Sequence, residues 1–106
     1  MPEPMTFGSQ IAEARKGLGL SQKDLAASIV KEDGEPISPQ YLNDIEHDRR
    51  NPPSEEMIYQ FAKELKLEPE VLFYLAGKLP HSLTKSSANN ETIVAAYQAF
   101  RKALKK

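Results

Sequence analysis

Two helix-start signals lie seventeen residues apart in this 106-residue chain, and they constrain its fold more than any other feature. Ser21 is followed three residues later by Asp24, which has the form of a capping box with the shorter acid. Ser38 is followed by Pro39; serine accepts the free amide bonds of a helix start, and proline in the first helical position loses no hydrogen bond. The pattern predicts two short helices, one from Ser21 to about residue 30 and one from Ser38 to about residue 47, joined by a polar segment.

Further helices are predicted on both sides of this pair. Apolar residues at 7, 11, 14 and 18 favour a first helix over about 6–17, and the stretch from residue 54 to residue 65 favours a fourth. Pro69 opens a fifth helix and Gly77 closes it. We expect its buried face to consist of Val71, Leu72, Leu75 and Ala76. The fold class is therefore all-α, with a domain over 6–79, a linker over 80–90 and an amphipathic C-terminal helix over 91–106.

Composition excludes several classes of protein. There is no cysteine, and the two histidines, His47 and His81, lie far apart, so we expect neither a disulfide nor a metal site. The longest apolar run covers 71–76, which is too short to span a bilayer, and the N-terminus lacks the features of a secretion signal. No nucleophile with a partner base and no phosphate-binding glycine loop is recognisable, so we expect a cytoplasmic protein that is not an enzyme and has no cofactor.

The net charge argues mildly against binding to nucleic acid, and the distribution of charge along the chain is more informative. The net charge is −1, but residues 1–83 carry 9 Lys/Arg and 14 Asp/Glu, a net −5, and residues 84–106 carry 5 and 1, a net +4. Duplex-binding domains usually present a basic face. Any affinity for DNA must therefore come from the local placement of charge.

A capped helix, a turn and a second short helix with polar residues near its start are typical of a helix-turn-helix. Together with the flanking helices, the chain resembles the Xre/Cro-type family of lambda-repressor-like DNA-binding domains. The matching stretches are Phe7-Gly8-x-x-Ile11 with Arg15, Gly19-Leu20-Ser21-Gln22-x-x-Leu25-Ala26, Tyr41-Leu42-x-x-Ile45-Glu46, Arg50-Asn51-Pro52 and Ile58-x-x-Phe61-Ala62-x-x-Leu65. The resemblance implies a five-helix domain that inserts its third helix into the major groove and represses transcription.

The resemblance also implies roles for individual residues. Gln22 resembles the glutamine that donates to a DNA phosphate and braces the third helix, and Gln40 is the residue we expect to read a base. A glutamine in the first turn of a recognition helix can pair with both groups of an adenine edge. Arg15 and Glu46 resemble an internal ion pair between the first and third helices. The full set of expected DNA-binding residues is Ser21, Gln22, Ser38, Pro39, Gln40, Tyr41, Asn43, Asp44, Arg49, Arg50 and Asn51.

Two departures from the family pattern leave alternatives open. The segment over 31–37 is longer than the usual turn of three or four residues and carries three acids, so it contacts DNA flanks or a partner, or is simply tolerated. Asp44 stands where the family often has Arg or Lys; a carboxylate there accepts from a cytosine amino group or weakens binding. We expect a homodimer through 91–106 or the fifth helix. The alternative is an antitoxin or anti-repressor whose main partner is a protein bound through 91–106.

Overall fold

The computed structural model describes residues 5–50, 53–85 and 87–105, and in these residues the chain forms seven helices and no strand. The all-α prediction is confirmed. The helices are α1 (Phe7–Gly17), α2 (Gln22–Ser28), α3 (Pro39–Glu46), α4 (Glu55–Leu65), α5 (Pro69–Ala76), α6 (His81–Thr84) and α7 (Asn90–Leu104).

Hydroxyl side chains set where the first four helices begin. In each case the oxygen accepts a hydrogen bond from the backbone amide three residues later, which satisfies a donor that has no partner inside the helix. The capping box predicted for Ser21 and Asp24 is present, because the Ser21 amide also donates to the Asp24 carboxylate at 3.2 Å. The capping residues are Thr6, Ser21, Ser38 and Ser54.

The core lies between α1–α3 on one side and α4–α5 on the other. Phe61 of α4 is fully buried and meets Phe7 of α1 edge to face, with ring centroids 6.3 Å apart. Burying an aliphatic or aromatic side chain of this kind contributes about 1.5–3 kcal/mol each. The other fully buried large side chains are Ile11, Leu25, Ile29, Leu42, Ile58 and Leu72. These side chains pack the inner faces of α2 and α3 against the other helices of the core. The outer face of α3 remains available to form a site.

The predicted buried face of α5 was partly wrong. Val71 is 44% exposed, whereas Phe73 is buried and packs edge to face on Tyr59, with ring centroids 5.3 Å apart. Leu72 is buried as expected, and Leu75 and Ala76 are partly buried. Residues 71–76 contain no charged side chain, so the sequence gives little indication of which side of this helix faces solvent.

The segment between α2 and α3 is an ordered miniature hairpin rather than an open loop. Helix α2 ends at Ser28, two residues earlier than predicted, and Ile29 turns extended with its side chain buried. Val30 pairs with Pro36, and Gln60 of α4 bonds both backbone groups of Val30, accepting from its amide at 2.7 Å and donating to its carbonyl at 2.9 Å. The longer turn is therefore anchored to α4.

The segment predicted as a linker contains one helical turn. Pro80 precedes α6, and the amide of His81 donates to the Glu55 carboxylate at 3.0 Å, which ties this turn to the start of α4. Helix α7 then starts at Asn90 behind the capping residue Asn89, one residue before the predicted start. None of the helices in the described parts of the chain is long and apolar enough to cross a membrane.

Candidate nucleic-acid interface

The opening turn of α3 projects from the domain. Ser38, Pro39 and Gln40 are exposed, while Leu42 and Ile45 on the opposite side of the helix are buried. The hairpin over 31–37 precedes this turn and does not bury it. The first turn of α3 therefore has the accessibility that entry into a duplex groove requires.

A single buried carboxylate fixes how α3 lies on α1 and α2. Arg15 of α1 contacts Glu46 with two bonds, from Nε at 2.6 Å and from the terminal guanidinium nitrogen at 3.1 Å, and both side chains are at least nine-tenths buried. Gln22 of α2 donates to the same carboxylate at 2.9 Å and to the Asn43 side-chain oxygen at 3.1 Å. Removing one partner of such a buried pair leaves an uncompensated charge, so the network has to act as a unit.

The resemblance implies two roles for Gln22, which are to brace the third helix and to donate to a DNA phosphate. Both amide hydrogens are directed at α3, so the side chain braces the recognition helix in the free protein. The backbone amide of Gln22 occupies the first position of α2, where helix amides have no intrahelical partner and favour an anion.

On the outer face of α3 the structure brings four of the expected residues together around Asp44. Gln40 donates from Nε2 to Asp44 Oδ1 at 3.0 Å, and the guanidinium groups of Arg49 and Arg50 lie 3.5 and 3.7 Å from the same carboxylate. Arg50 also stacks over the half-buried ring of Tyr41, with its central carbon 4.1 Å from the ring centroid. Asp44 is therefore compensated by two cations, and the three side chains together carry a net charge of +1.

Sequence reasoning missed the role of Asp48. This residue has φ +58, and its carboxylate accepts from the Gly8 amide at 2.9 Å and the Thr6 hydroxyl at 2.6 Å. It thus faces the start of α1, where a negative charge is favoured by the helix dipole. Asp tolerates the left-handed conformation better than most residues, but no signal in the sequence marks these contacts.

Of the expected DNA-binding residues, Asn51 lies outside the described residues. Arg49 and Arg50 are exposed after the end of α3, and Ser21 is exposed before α2. Within the parts of the chain that the structure describes, no three His, Cys, Asp or Glu side chains converge into a metal-binding group.

This fold and this exposed helix define a helix-turn-helix protein, the class to which many DNA-binding transcription regulators belong. A helix-turn-helix family model matches residues 11–72, more than half of the chain. The chain belongs to the Xre/lambda-repressor-like helix-turn-helix family and is a DNA-binding transcription regulator.

A solved structure supports the same architecture. One chain of the SinR protein/SinI protein complex is similar to this chain with a TM-score of 0.53 and 21% sequence identity, covering 92% of this chain and 99% of that one. At this identity the likeness bears on the fold alone. No curated protein matches the sequence.

Proposed function

We propose that the protein represses transcription by binding a specific duplex site as a homodimer in the cytoplasm. The observation that carries this proposal is the exposed first turn of α3, with Gln40 at the surface and the helix braced from behind by Gln22 and Arg15 through Glu46. A rigid helix with an accessible polar first turn is suited to reading base edges.

In this proposal the site residues divide into two groups. Gln40, with Tyr41 and Asp44 beside it, faces the bases, and Arg49 and Arg50 hold phosphate at the far side of the groove. Ser38, Pro39 and Asn43 lie close to the sugar-phosphate backbone, as do Ser21 and Gln22 at the start of α2. Asn51, which follows Arg50 in the sequence, is grouped with the two arginines as a residue that holds phosphate. Phosphate contacts would supply most of the affinity and base contacts the preference.

The proposal of a homodimer rests on the C-terminal helix. Every described residue of α7 is exposed, and its apolar stripe comprises Ile93, Tyr97, Phe100 and Leu104, each 45–55% exposed. A cavity of about 440 Å³ lies between this stripe and Leu79 and Leu83, and covering it with a second copy would bury the stripe. A dimer would also bring two recognition helices to half-sites about 34 Å apart, which one short helix needs for specificity.

The test is selection of fragments of the source genome by the full-length protein at low and at physiological salt. We expect a common motif with two-fold symmetry to be enriched at both salt concentrations. If the protein binds no fragment even at low salt, where phosphate contacts are strongest, the proposal is contradicted. Binding without any enriched motif contradicts the base-reading part of it.

A second candidate function is that of an antitoxin or anti-repressor whose main partner is a protein. The same exposed stripe on α7 favours it, and the similar solved structure is a complex of two proteins. Co-purification of the untagged product of a neighbouring gene, at a fixed ratio and with the stripe intact, distinguishes this function from self-association.

A further inference from the structure

Asp44 occupies the centre of the exposed face of α3, and its side chain is only 22% exposed. It stands one helical turn after Gln40, so the two side chains meet on the same face, where Gln–Asp pairs of this spacing are favourable. The contact of 3.0 Å joins Gln40 Nε2 to Asp44 Oδ1. A carboxylate only accepts hydrogen bonds, so this contact directs the nitrogen of the Gln40 amide towards Asp44.

The hydrogen bond leaves Gln40 with the groups that adenine reading requires. A glutamine amide has two N–H donors and one carbonyl, and pairing with the adenine edge uses one donor and the carbonyl. Asp44 takes the other donor. Because the amide cannot rotate without losing this bond, fewer side-chain conformations must be given up when the base is bound.

Two arginines compensate the negative charge of Asp44. Arg49 and Arg50 lie within 3.7 Å of the carboxylate, and Arg50 is further held by stacking on Tyr41. Since both cations remain at least 46% exposed, each can turn its outer face to a phosphate. This arrangement lets a carboxylate sit beside the duplex without net repulsion.

We propose that Asp44 is a positioning residue for specificity: it orients Gln40 for adenine and does not itself read a base. This inference rests on the proposed function and names a part of its mechanism. It predicts that the effect of Asp44 on sequence preference acts entirely through Gln40.

The experiment measures the affinity of the full-length protein for two duplexes, the site recovered by genomic selection and a shuffled duplex of the same composition. The ratio of the two affinities is compared for Asp44→Ala, Asp44→Asn, Gln40→Ala and the double variant Asp44→Ala/Gln40→Ala. For Asp44→Ala we expect the ratio to fall by about tenfold, the size of one good base pairing, while affinity for the shuffled duplex rises because a negative charge is lost. Asp44→Asn keeps an acceptor for Gln40, so the ratio should be retained while affinity for the shuffled duplex still rises.

A matched control is Glu13→Ala on α1, which changes the net charge equally at an exposed position away from α3. It should leave the ratio unchanged. Adding Gln40→Ala to Asp44→Ala should cause no further loss of preference.

An unchanged ratio in Asp44→Ala overturns the inference, as does an equal loss on both duplexes, which would indicate a structural role. Additive losses in the double variant overturn it too, because Asp44 would then read a base independently. If the wild-type protein itself shows no preference between the duplexes, the proposed function fails and the inference fails with it.

Discussion

Gln22 donates a hydrogen bond to Glu46 at 2.9 Å, and this bond joins the two helices of the helix-turn-helix through a carboxylate that Arg15 holds from a third helix. The orientation of α3 is thus determined by the buried side chains of Arg15 and Glu46 together with the half-buried side chain of Gln22. Because Glu46 accepts hydrogen bonds from both Arg15 and Gln22, a change at any one of these three residues leaves the others with an unsatisfied hydrogen bond or an unpaired charge. The site for DNA and the stability of the domain are coupled at this point.

The first prediction concerns the buried ion pair. Arg15→Met removes the cation and leaves Glu46 charged in a buried position, so the free energy of unfolding should fall by about 3–5 kcal/mol. The double variant Arg15→Met/Glu46→Leu removes both charges and should recover most of that loss. Urea unfolding monitored by circular dichroism measures the stability of both variants.

Lys16→Met, at the adjacent exposed position, is the control and should change stability by less than about 0.5 kcal/mol. A loss below 1 kcal/mol in Arg15→Met would show that the pair contributes no more than about what a surface bridge does.

The second prediction concerns the crossing of α1 and α3. A Cβ atom added at Gly8 would lie 2.3 Å from the Ile45 carbonyl oxygen and 2.6 Å from that of Glu46, and backbone atoms cannot move aside cheaply. Gly8→Ala should therefore destabilise the domain by about 1–3 kcal/mol or more. Gly17→Ala is the matched substitution on the same helix, where a Cβ meets nothing within 4 Å. It should raise stability by about 0.5–1 kcal/mol through helix propensity. Thermal unfolding of the two variants compares them directly, and equal effects would contradict the close approach at Gly8.

Helix starts were predictable from the sequence because their signals are local. Thr6 and Ser38 each bond an amide three residues away, so spacing along the chain contains all the information. The contacts of Asp48 with Thr6 and Gly8 join residues about forty positions apart, and nothing in the sequence relates them. The conformation of the turn before α3 was also beyond local reasoning, because it depends on Gln60 in α4.

In the site too, contacts between residues close in the chain were predictable and contacts that depend on more distant parts of the chain were not. The contact between Gln40 and Asp44 spans four residues of one helix and was accessible to sequence reasoning, which instead considered Asp44 for a direct base contact. Compensation of Asp44 by Arg49 and Arg50 required coordinates, because both arginines follow the end of α3 and their direction depends on the chain after it.

The third prediction concerns acid stability. The pKa of the Asp24 carboxyl is lowered below its ordinary value, first by the hydrogen bond from the Ser21 backbone amide and then by the Ser21 hydroxyl. A carboxyl whose pKa is lowered by folding contributes stability that is complete above its unfolded pKa and is lost as the pH falls through its folded pKa. Wild type should therefore be more stable than Asp24→Asn at neutral pH, and the difference should shrink below about pH 4, the ordinary range of this carboxyl. Urea unfolding at a series of pH values measures it. Asp33→Asn in the hairpin is the control for removing one charge, and a difference for Asp24→Asn that does not vary with pH would contradict the prediction.

The fourth prediction concerns self-association through α7. Ile93 lies in the apolar stripe, whereas the adjacent Val94 is turned about 100° around the helix and does not line the cavity next to it. Ile93→Asp should shift the protein from dimer to monomer in light scattering, because a carboxylate is costly to bury at an apolar contact. Val94→Asp introduces the same charge one residue away and should leave the dimer intact. A wild-type protein that is monomeric at high concentration would show that α7 does not self-associate.

The fifth prediction separates base reading from bracing. Gln40→Ala should reduce affinity for the selected site by about 1–3 kcal/mol, relax preference at one or two base pairs and leave affinity for random duplex unchanged. Gln22→Ala should weaken binding to all sequences alike, because it loosens α3 against α2 without removing a group that faces a base. Competition binding of each variant to the selected site and to random duplex measures both effects in one assay. An equal loss of affinity for both duplexes in Gln40→Ala would refute base reading at this position. A loss of affinity confined to the selected site in Gln22→Ala would show that Gln22 contacts a base and does not merely support α3.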